Sequence, residues 1–173
     1  MNESALMIVL RLFHILGGVF WVGTAFLIAW FLIPSHRATG EAGMTFVHEV
    51  MIRQKLRVYL AVAMILTILS GLAMYVRIMM VSHGAWGSTT TAKVLGFGAL
   101  CAIVAGGLGG SVGGATGAKM AALGQSIKDS GQPPTEIQHA QMEAFQDKLQ
   151  GAMRIVAVLL VIAVAAMASA RYL

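Results

Sequence analysis

The chain has 173 residues, of which 58% are hydrophobic and only 11% are charged, and its mean hydropathy is +0.79. A soluble domain carries roughly 45–50% apolar and about 25% charged residues, so this composition excludes an ordinary soluble domain and a disordered chain. A single cysteine, Cys101, excludes an internal disulfide, a CxxC redox pair and a cysteine-based zinc site. The net charge of +5 lies outside the long uncharged runs, which favours an anionic membrane surface over nucleic acid as a partner.

Four apolar runs predict four helices that cross a lipid bilayer. A bilayer core of about 30 Å needs about 20 apolar residues in a helix, and only a helix satisfies the backbone there. The predicted helices span approximately 6–33, 53–81, 92–123 and 136–172 in a single domain. The sequence therefore predicts an all-α fold, an integral membrane four-helix bundle with cytoplasmic helical extensions.

Proline and capping signals predict how the extensions begin and end. Pro34 is expected to end the first helix, and residues 44–57 are expected to extend the second helix into water as an amphipathic stalk. After Pro133 and Pro134, Thr135 and Gln138 have the spacing of a capping box. A helix should therefore start after Thr135 and continue unbroken into the fourth membrane helix.

The distribution of lysine and arginine predicts the orientation. Eight of these residues flank or occupy the two long loops and four lie at the other end, which places the long loops in the cytoplasm. Both termini are then outside, and the protein is expected in a bacterial inner membrane. The eight are Arg37, Arg53, Lys55, Arg57, Lys119, Lys128, Lys148 and Arg154, and the four are Arg11, Arg77, Lys93 and Arg171.

Glycines in the third helix predict a close contact. The segment AGGLGGSVGGATGAK contains several GxxxG pairs, including Gly106 with Gly110 and Gly110 with Gly114. Small residues at this spacing allow helices to approach closely in lipid. The contact could be inside the bundle, against another membrane subunit, or against a flat cofactor, and the pattern does not separate these alternatives.

His14 is the histidine that falls inside an apolar run, where an ionisable side chain is a functional candidate. At helical spacing, Arg11, His14, Gly18 and Trp21 lie on one stripe, and the small Gly18 leaves room for a planar ligand. Lys93, at the start of the third helix, is expected at the same outer end. The alternative is a structural histidine that hydrogen-bonds to a neighbouring carbonyl, with the basic residues acting as interfacial anchors.

Several segments together resemble the small CopD-like integral membrane proteins and, more distantly, the HemJ-type protoporphyrinogen oxidases. The resemblance is carried by RLFHILGGVFWVGTAF, IRQKLRVYLAVAMILTILSGLAMY, TAKVLGFGAL and MASARYL. Likeness to the HemJ-type proteins implies heme b, with an essential histidine at His14 and an essential lysine at Lys93. Likeness to the CopD-like proteins implies copper handling.

These observations lead to one main functional hypothesis. The protein is predicted to bind b-type heme in the membrane, for electron transfer or porphyrin oxidation, with His14 as the metal ligand. Arg11, facing a propionate, Gly18, Trp21 and Lys93 complete the predicted cofactor site. The alternatives are a non-catalytic subunit of a larger membrane complex, docked through the glycine-rich third helix, and copper handling by His14, His83 and methionines. Whether the protein is an enzyme stays open.

Overall fold

The computed structural model describes residues 3–173, except for the side chain of Glu41, and these residues form helices and no strand. The α-helices are α1 (Glu3–Leu27), α2 (Ile33–His48), α3 (Leu56–Val81), α4 (Thr90–Leu108), α5 (Gly114–Ser130) and α6 (Glu136–Ser169). Single π-helical turns occupy Ile28–Leu32, Glu49–Arg53 and Gly109–Gly113, and short 3₁₀ turns occupy Ala85–Ser88 and Ala170–Tyr172.

Four helical segments are long and apolar enough to cross a membrane, as the sequence predicts. They are Glu3–Gly40, Leu56–Val81, Thr90–Ser130 and Glu136–Tyr172. Large apolar side chains such as Leu16, Val19 and Leu69 lie on the outside of the bundle. A soluble protein would place polar side chains there, whereas contact with lipid favours apolar ones. The predicted all-α membrane bundle is therefore confirmed.

The bundle consists of two helix pairs. α1 packs along α3, and α4 packs along α6, while smaller contacts between α1 and α6 and between α3 and α4 close the bundle. Small residues dominate the centre, so the helices approach closely. The buried core comprises Trp21, Ala25, Ala63, Cys101, Ala102, Ala105, Val156, Leu160 and Ala163.

The bundle has two unlike ends. One end, which we call the short-loop end, carries Glu3, the connection from α3 to α4, and Arg171. The other end, which we call the stalk end, carries α2, the second half of α5 and the first half of α6. Because α6 has 34 residues, it is about 51 Å long and exceeds a bilayer core of about 30 Å. The excess projects at the stalk end.

Pro34 does not end the first helix, contrary to the prediction. The chain passes through the π-helical turn Ile28–Leu32, and Pro34 then lies in the first turn of α2. A proline is tolerated in a first turn, and the wider π-helical turn before it accommodates the ring. The helical path is instead interrupted by a kink at Gly40, whose φ of 57° and ψ of −126° suit glycine alone.

The predicted stalk over residues 44–57 is not an extension of the second membrane helix. Lys55 adopts a left-handed conformation with φ of 57° and separates the π-helical turn Glu49–Arg53 from α3, which begins at Leu56. A left-handed lysine costs roughly 1–2 kcal/mol, and no glycine or proline marks this break in the sequence.

The predicted start of the last helix is confirmed. The Thr135 hydroxyl accepts a hydrogen bond from the Gln138 amide at 3.3 Å, and the Gln138 side chain accepts one from the Thr135 amide at 2.9 Å. α6 then runs without interruption to Ser169. Two charged hydrogen bonds tie it to α2, because Arg37 donates to Asp147 at 2.7 Å and to Gln150 at 2.6 Å.

The glycines of the third membrane segment differ in how closely neighbouring helices approach them. A Cβ at Gly98 would lie 3.2 Å from the Ala163 carbonyl oxygen, and a Cβ at Gly106 would lie 3.0 Å from the Met64 sulfur. In contrast, no described atom lies within 4 Å of such a Cβ at Gly107, Gly110 or Gly114. The tight packing inside the bundle is therefore at Gly98 and Gly106, and Gly110 makes no such contact with the described part of the bundle.

Candidate functional site

His14 lies between α1 and α3 and is partly buried. Its Nδ1 is 2.8 Å from the backbone carbonyl oxygen of Thr67, so the two helices share a hydrogen bond within the apolar part of the bundle. The ring rests against Gly71, where a Cβ would lie only 2.6 Å from the imidazole Cε1. Glycine at position 71 therefore provides the space that the histidine ring occupies.

Thr67 and Ser70 complete a polar cluster around the histidine. Both side chains are buried, and both donate hydrogen bonds to carbonyls of their own helix, Thr67 to Ala63 at 2.7 Å and Ser70 to Leu66. The Ser70 hydroxyl also lies 3.2 Å from the Thr67 carbonyl, which thus interacts with both Ser70 and His14. We call His14, Thr67, Ser70 and Gly71 the His14 cluster.

The hydrogen bond to Thr67 determines which imidazole nitrogen is free. A carbonyl oxygen can only accept, so Nδ1 must carry the proton that it donates. In the neutral ring, Nε2 then holds a lone pair. Among the described residues, no hydrogen bond occupies Nε2. Metal-binding histidines are commonly oriented in this way, by a backbone carbonyl on the nitrogen that does not bind the metal.

The glycines on the same face of α1 do not leave an open slot. A Cβ at Gly17 would lie 2.7 Å from the Thr67 hydroxyl oxygen and 3.2 Å from the Ala63 carbonyl. One at Gly18 would lie 3.6 Å from the Thr67 methyl group. Gly17 and Gly18 therefore let α3 approach α1, and a planar ligand would have to reach His14 from the side of the ring away from Thr67.

Two arginines lie beyond the His14 cluster, in a groove between α1 and α3 at the short-loop end. The groove has a volume of about 590 Å³, and we call it the arginine groove. Arg77 pairs with Glu3 at 2.7 Å, whereas Arg11 is exposed and pairs with none of the acidic side chains that the structure describes. The residues that line the groove include Glu3, Ile8, Arg11, Arg77, Ile78 and Trp86.

Trp21 and Lys93 lie outside both the His14 cluster and the lining of the arginine groove. Trp21 is 5% exposed and belongs to the central core, where it packs with Ala25. Lys93 is exposed in the first turn of α4 and does not line the arginine groove. Its neighbour Ala92 is held by the Tyr75 hydroxyl, which donates to the Ala92 carbonyl at 3.3 Å. Arg11 and His14 thus lie along the seam between α1 and α3, and Lys93 lies outside the arginine groove.

The other residues considered for copper, His83 and two methionines, lie at the end of α3 and in the loop after it, outside the His14 cluster. Met80 is 71% exposed, and the methyl group and sulfur of Met79 lie against Gly87. His83, in the loop after α3, is exposed and has a φ of 49°. Over the described part of the chain, no group of three or more histidine, cysteine, aspartate or glutamate residues could hold a metal ion.

Three members of the cluster, Thr67, Ser70 and Gly71, were not predicted from the sequence. The signal lies in the segment ILTILSGLAMY, where these small residues recur at intervals of three and four and so share one helix face. A hydroxyl-bearing helix face in an apolar run predicts a partner helix, but not which one. Comparisons with protein-family models, with curated proteins and with solved structures found no match for this chain.

Proposed function

We propose that the protein is a membrane-embedded heme b protein in which Nε2 of His14 binds the iron. The observation that carries the proposal is the 2.8 Å contact between Nδ1 and the Thr67 carbonyl. It orients the ring and leaves Nε2, with its lone pair, as the coordinating nitrogen. The resemblance of the chain to HemJ-type proteins points to the same histidine.

The small number of side chains available to coordinate a metal favours heme over an isolated metal ion. A protein site for zinc or copper needs several side-chain ligands, and the described residues offer no group of three or more histidine, cysteine, aspartate or glutamate side chains. Heme brings four pyrrole nitrogens of its own, so one histidine suffices to hold it by iron. His14 fits this requirement, and because α3 crowds Gly17, a bound porphyrin would have to approach from the other side of the ring.

The chain's own residues would have three tasks. Heme iron, when bound, supplies a centre for one-electron transfer. The Thr67 carbonyl fixes the orientation of the His14 ring, and Gly71 gives the ring its space. Arg11, one helical turn toward the short-loop end, offers an unpaired positive charge to a propionate. Electron transfer or porphyrin oxidation would then occur near that end of the membrane.

The test is the visible absorbance of protein purified after expression with sufficient heme. His14→Asn is the informative variant, because the asparagine amide can still donate to the Thr67 carbonyl but offers no imidazole Nε2. We expect the wild type to carry heme and His14→Asn to fold without it. His139→Asn, at an exposed histidine of α6, is the control and should retain heme.

A second variant separates ligation from folding. His14→Gly removes the side chain, and added imidazole should restore the heme absorbance if the ring acts as a ligand. Wild-type protein that is folded and free of heme would refute the proposal. Full heme content in His14→Asn would also refute it, since the iron would then be bound elsewhere.

A second candidate is a non-catalytic subunit of a membrane complex. The observation that favours this candidate is the open face of the third membrane segment. Outside the local helix backbone, no described atom lies within 4 Å of a Cβ at Gly107, Gly110 or Gly114. Gly110→Leu should leave the isolated bundle as stable as the wild type but release a partner that co-purifies in fixed stoichiometry. If Gly110→Leu changes neither stability nor composition, this candidate fails.

The proposed location is a bacterial inner membrane, with the stalk end in the cytoplasm and both termini outside. The proposal rests on the excess of lysine and arginine at the stalk end. A cysteine placed at the exposed Ser130, in a Cys101→Ser background, should resist a membrane-impermeant thiol reagent in intact cells and react after lysis. Rapid labelling in intact cells would reverse the orientation.

A further inference from the structure

The arginine groove combines charge with apolar walls. Arg11 and Arg77 face it from α1 and α3, and the apolar side chains of Ile8, Ile78 and Val81 line it between them. Ile8 is 58% exposed and Val81 is 70% exposed, so the groove opens toward the surroundings of the bundle. A ligand that fits these walls has one charged group and an apolar body.

The charges in the groove favour a single negative group. Glu3 is the acidic residue of the lining, and its carboxylate is already paired with Arg77 at 2.7 Å. The lining side chains therefore carry two positive charges and one negative charge, a net charge of +1. Arg11 supplies the unpaired guanidinium, a group well suited to phosphate and carboxylate oxygens.

The position of the groove matches the interface between membrane and water. It lies where α1 begins and α3 ends, and Trp86, a residue type enriched at that level, forms part of its wall. We propose that the arginine groove binds the phosphate of an anionic phospholipid through Arg11, with an acyl chain over Ile8 and Ile78. An exposed apolar wall favours this amphiphile over free phosphate.

The charge arrangement also favours an anionic over a zwitterionic lipid. A choline or ethanolamine headgroup brings a positive charge, and the one carboxylate of the lining is already paired with Arg77. A phosphatidylglycerol headgroup brings only its phosphate charge. The site should therefore discriminate by headgroup charge rather than by acyl chain.

This inference does not depend on heme. A porphyrin propionate has similar chemistry and could compete for Arg11, so the experiment uses the His14→Asn protein as well as the wild type. Lipid binding should persist in His14→Asn even though that variant is expected to lack heme. Failure of lipid binding and failure of heme binding are thus seen in different measurements.

The experiment titrates phosphatidylglycerol and phosphatidylcholine with identical acyl chains into detergent-purified protein, measuring retained lipid by native mass spectrometry and thermal stability in parallel. We expect one tightly retained phosphatidylglycerol. Arg11→Gln should weaken its affinity about tenfold, which corresponds to about 1.4 kcal/mol, while Arg11→Lys should retain most of it. Arg57→Gln, at the opposite end of α3, is the matched control and should behave as the wild type.

Three results would overturn the inference. Equal retention of both lipids would show that the groove does not select charge. An unchanged affinity in Arg11→Gln would place the lipid elsewhere. Stabilisation by inorganic phosphate alone, equal to that by phosphatidylglycerol, would identify a simple anion site without a role for the apolar wall.

Discussion

Gly71→Ala is the most direct test of the contact that places His14. The added methyl group would lie 2.6 Å from the imidazole Cε1 and 2.8 Å from Nδ1. Carbon atoms in favourable contact are about 3.5–4.0 Å apart, so the ring must move by about 1 Å. The hydrogen bond from Nδ1 to the Thr67 carbonyl, now 2.8 Å, would then exceed a normal hydrogen-bond length.

The expected change in the free energy of unfolding combines two costs and one gain. Overpacking a tight site costs typically 1–3 kcal/mol. Loss of a hydrogen bond between membrane helices costs about 0.6 kcal/mol on average and at most about 1.7 kcal/mol. Replacing glycine with alanine in a helix returns about 0.8–1.0 kcal/mol. We therefore expect Gly71→Ala to lower the free energy of unfolding by about 1–3 kcal/mol.

The assay is reversible unfolding in mixed micelles, followed by circular dichroism, with Gly107→Ala as the matched control. Gly107 lies inside α4, and no described atom lies within 4 Å of the position that an alanine methyl group would take there. The Gly107→Ala protein therefore gains helix propensity without a clash. Equal stability of Gly71→Ala and Gly107→Ala would refute the contact between His14 and α3.

Three further predictions concern the stalk end. Arg37→Ala should cost about 0.2–1 kcal/mol, because its ion pair with Asp147 is largely exposed, and a double-mutant cycle with Asp147→Ala should recover most of that energy as coupling. Thr135→Ala should cost about 1 kcal/mol through loss of the capping box, seen as faster amide exchange in the first turn of α6. Gly40→Ala should destabilise the stalk because of its positive φ, whereas Gly124→Ala, a helical glycine with open space around it, should not.

The sequence predicts the fold well where a single physical rule dominates. Long uncharged runs identify the membrane helices because lipid leaves the backbone no other solution. Thr135 and Gln138 predict the start of α6 because both partners of the capping box are local. Lys55 is different, since its left-handed conformation is not marked by a glycine, a proline or a capping side chain nearby. The residues around Lys55 are compatible with a helix, so the sequence does not predict the interruption before α3.

The candidate site is only partly predictable for a similar reason. The cost of an ionisable group in an apolar run singles out His14 from the sequence. Its partner is a backbone carbonyl, that of Thr67, and every residue has a carbonyl. The sequence therefore cannot identify the acceptor. Periodicity places Trp21 on the His14 stripe, but only the packing of four helices shows that Trp21 belongs to the core.

The two helix pairs are held together in different ways. α4 and α6 meet through small residues and Leu160, which is 1% exposed. α1 and α3 instead meet through the glycine, hydroxyl and imidazole contacts of the His14 cluster. Apolar packing around Leu160 supplies stability that does not depend on His14, so the cluster can retain a free Nε2. Substitutions at His14 should therefore change ligand binding more than they change folding, which is the condition under which His14→Asn gives a clear answer.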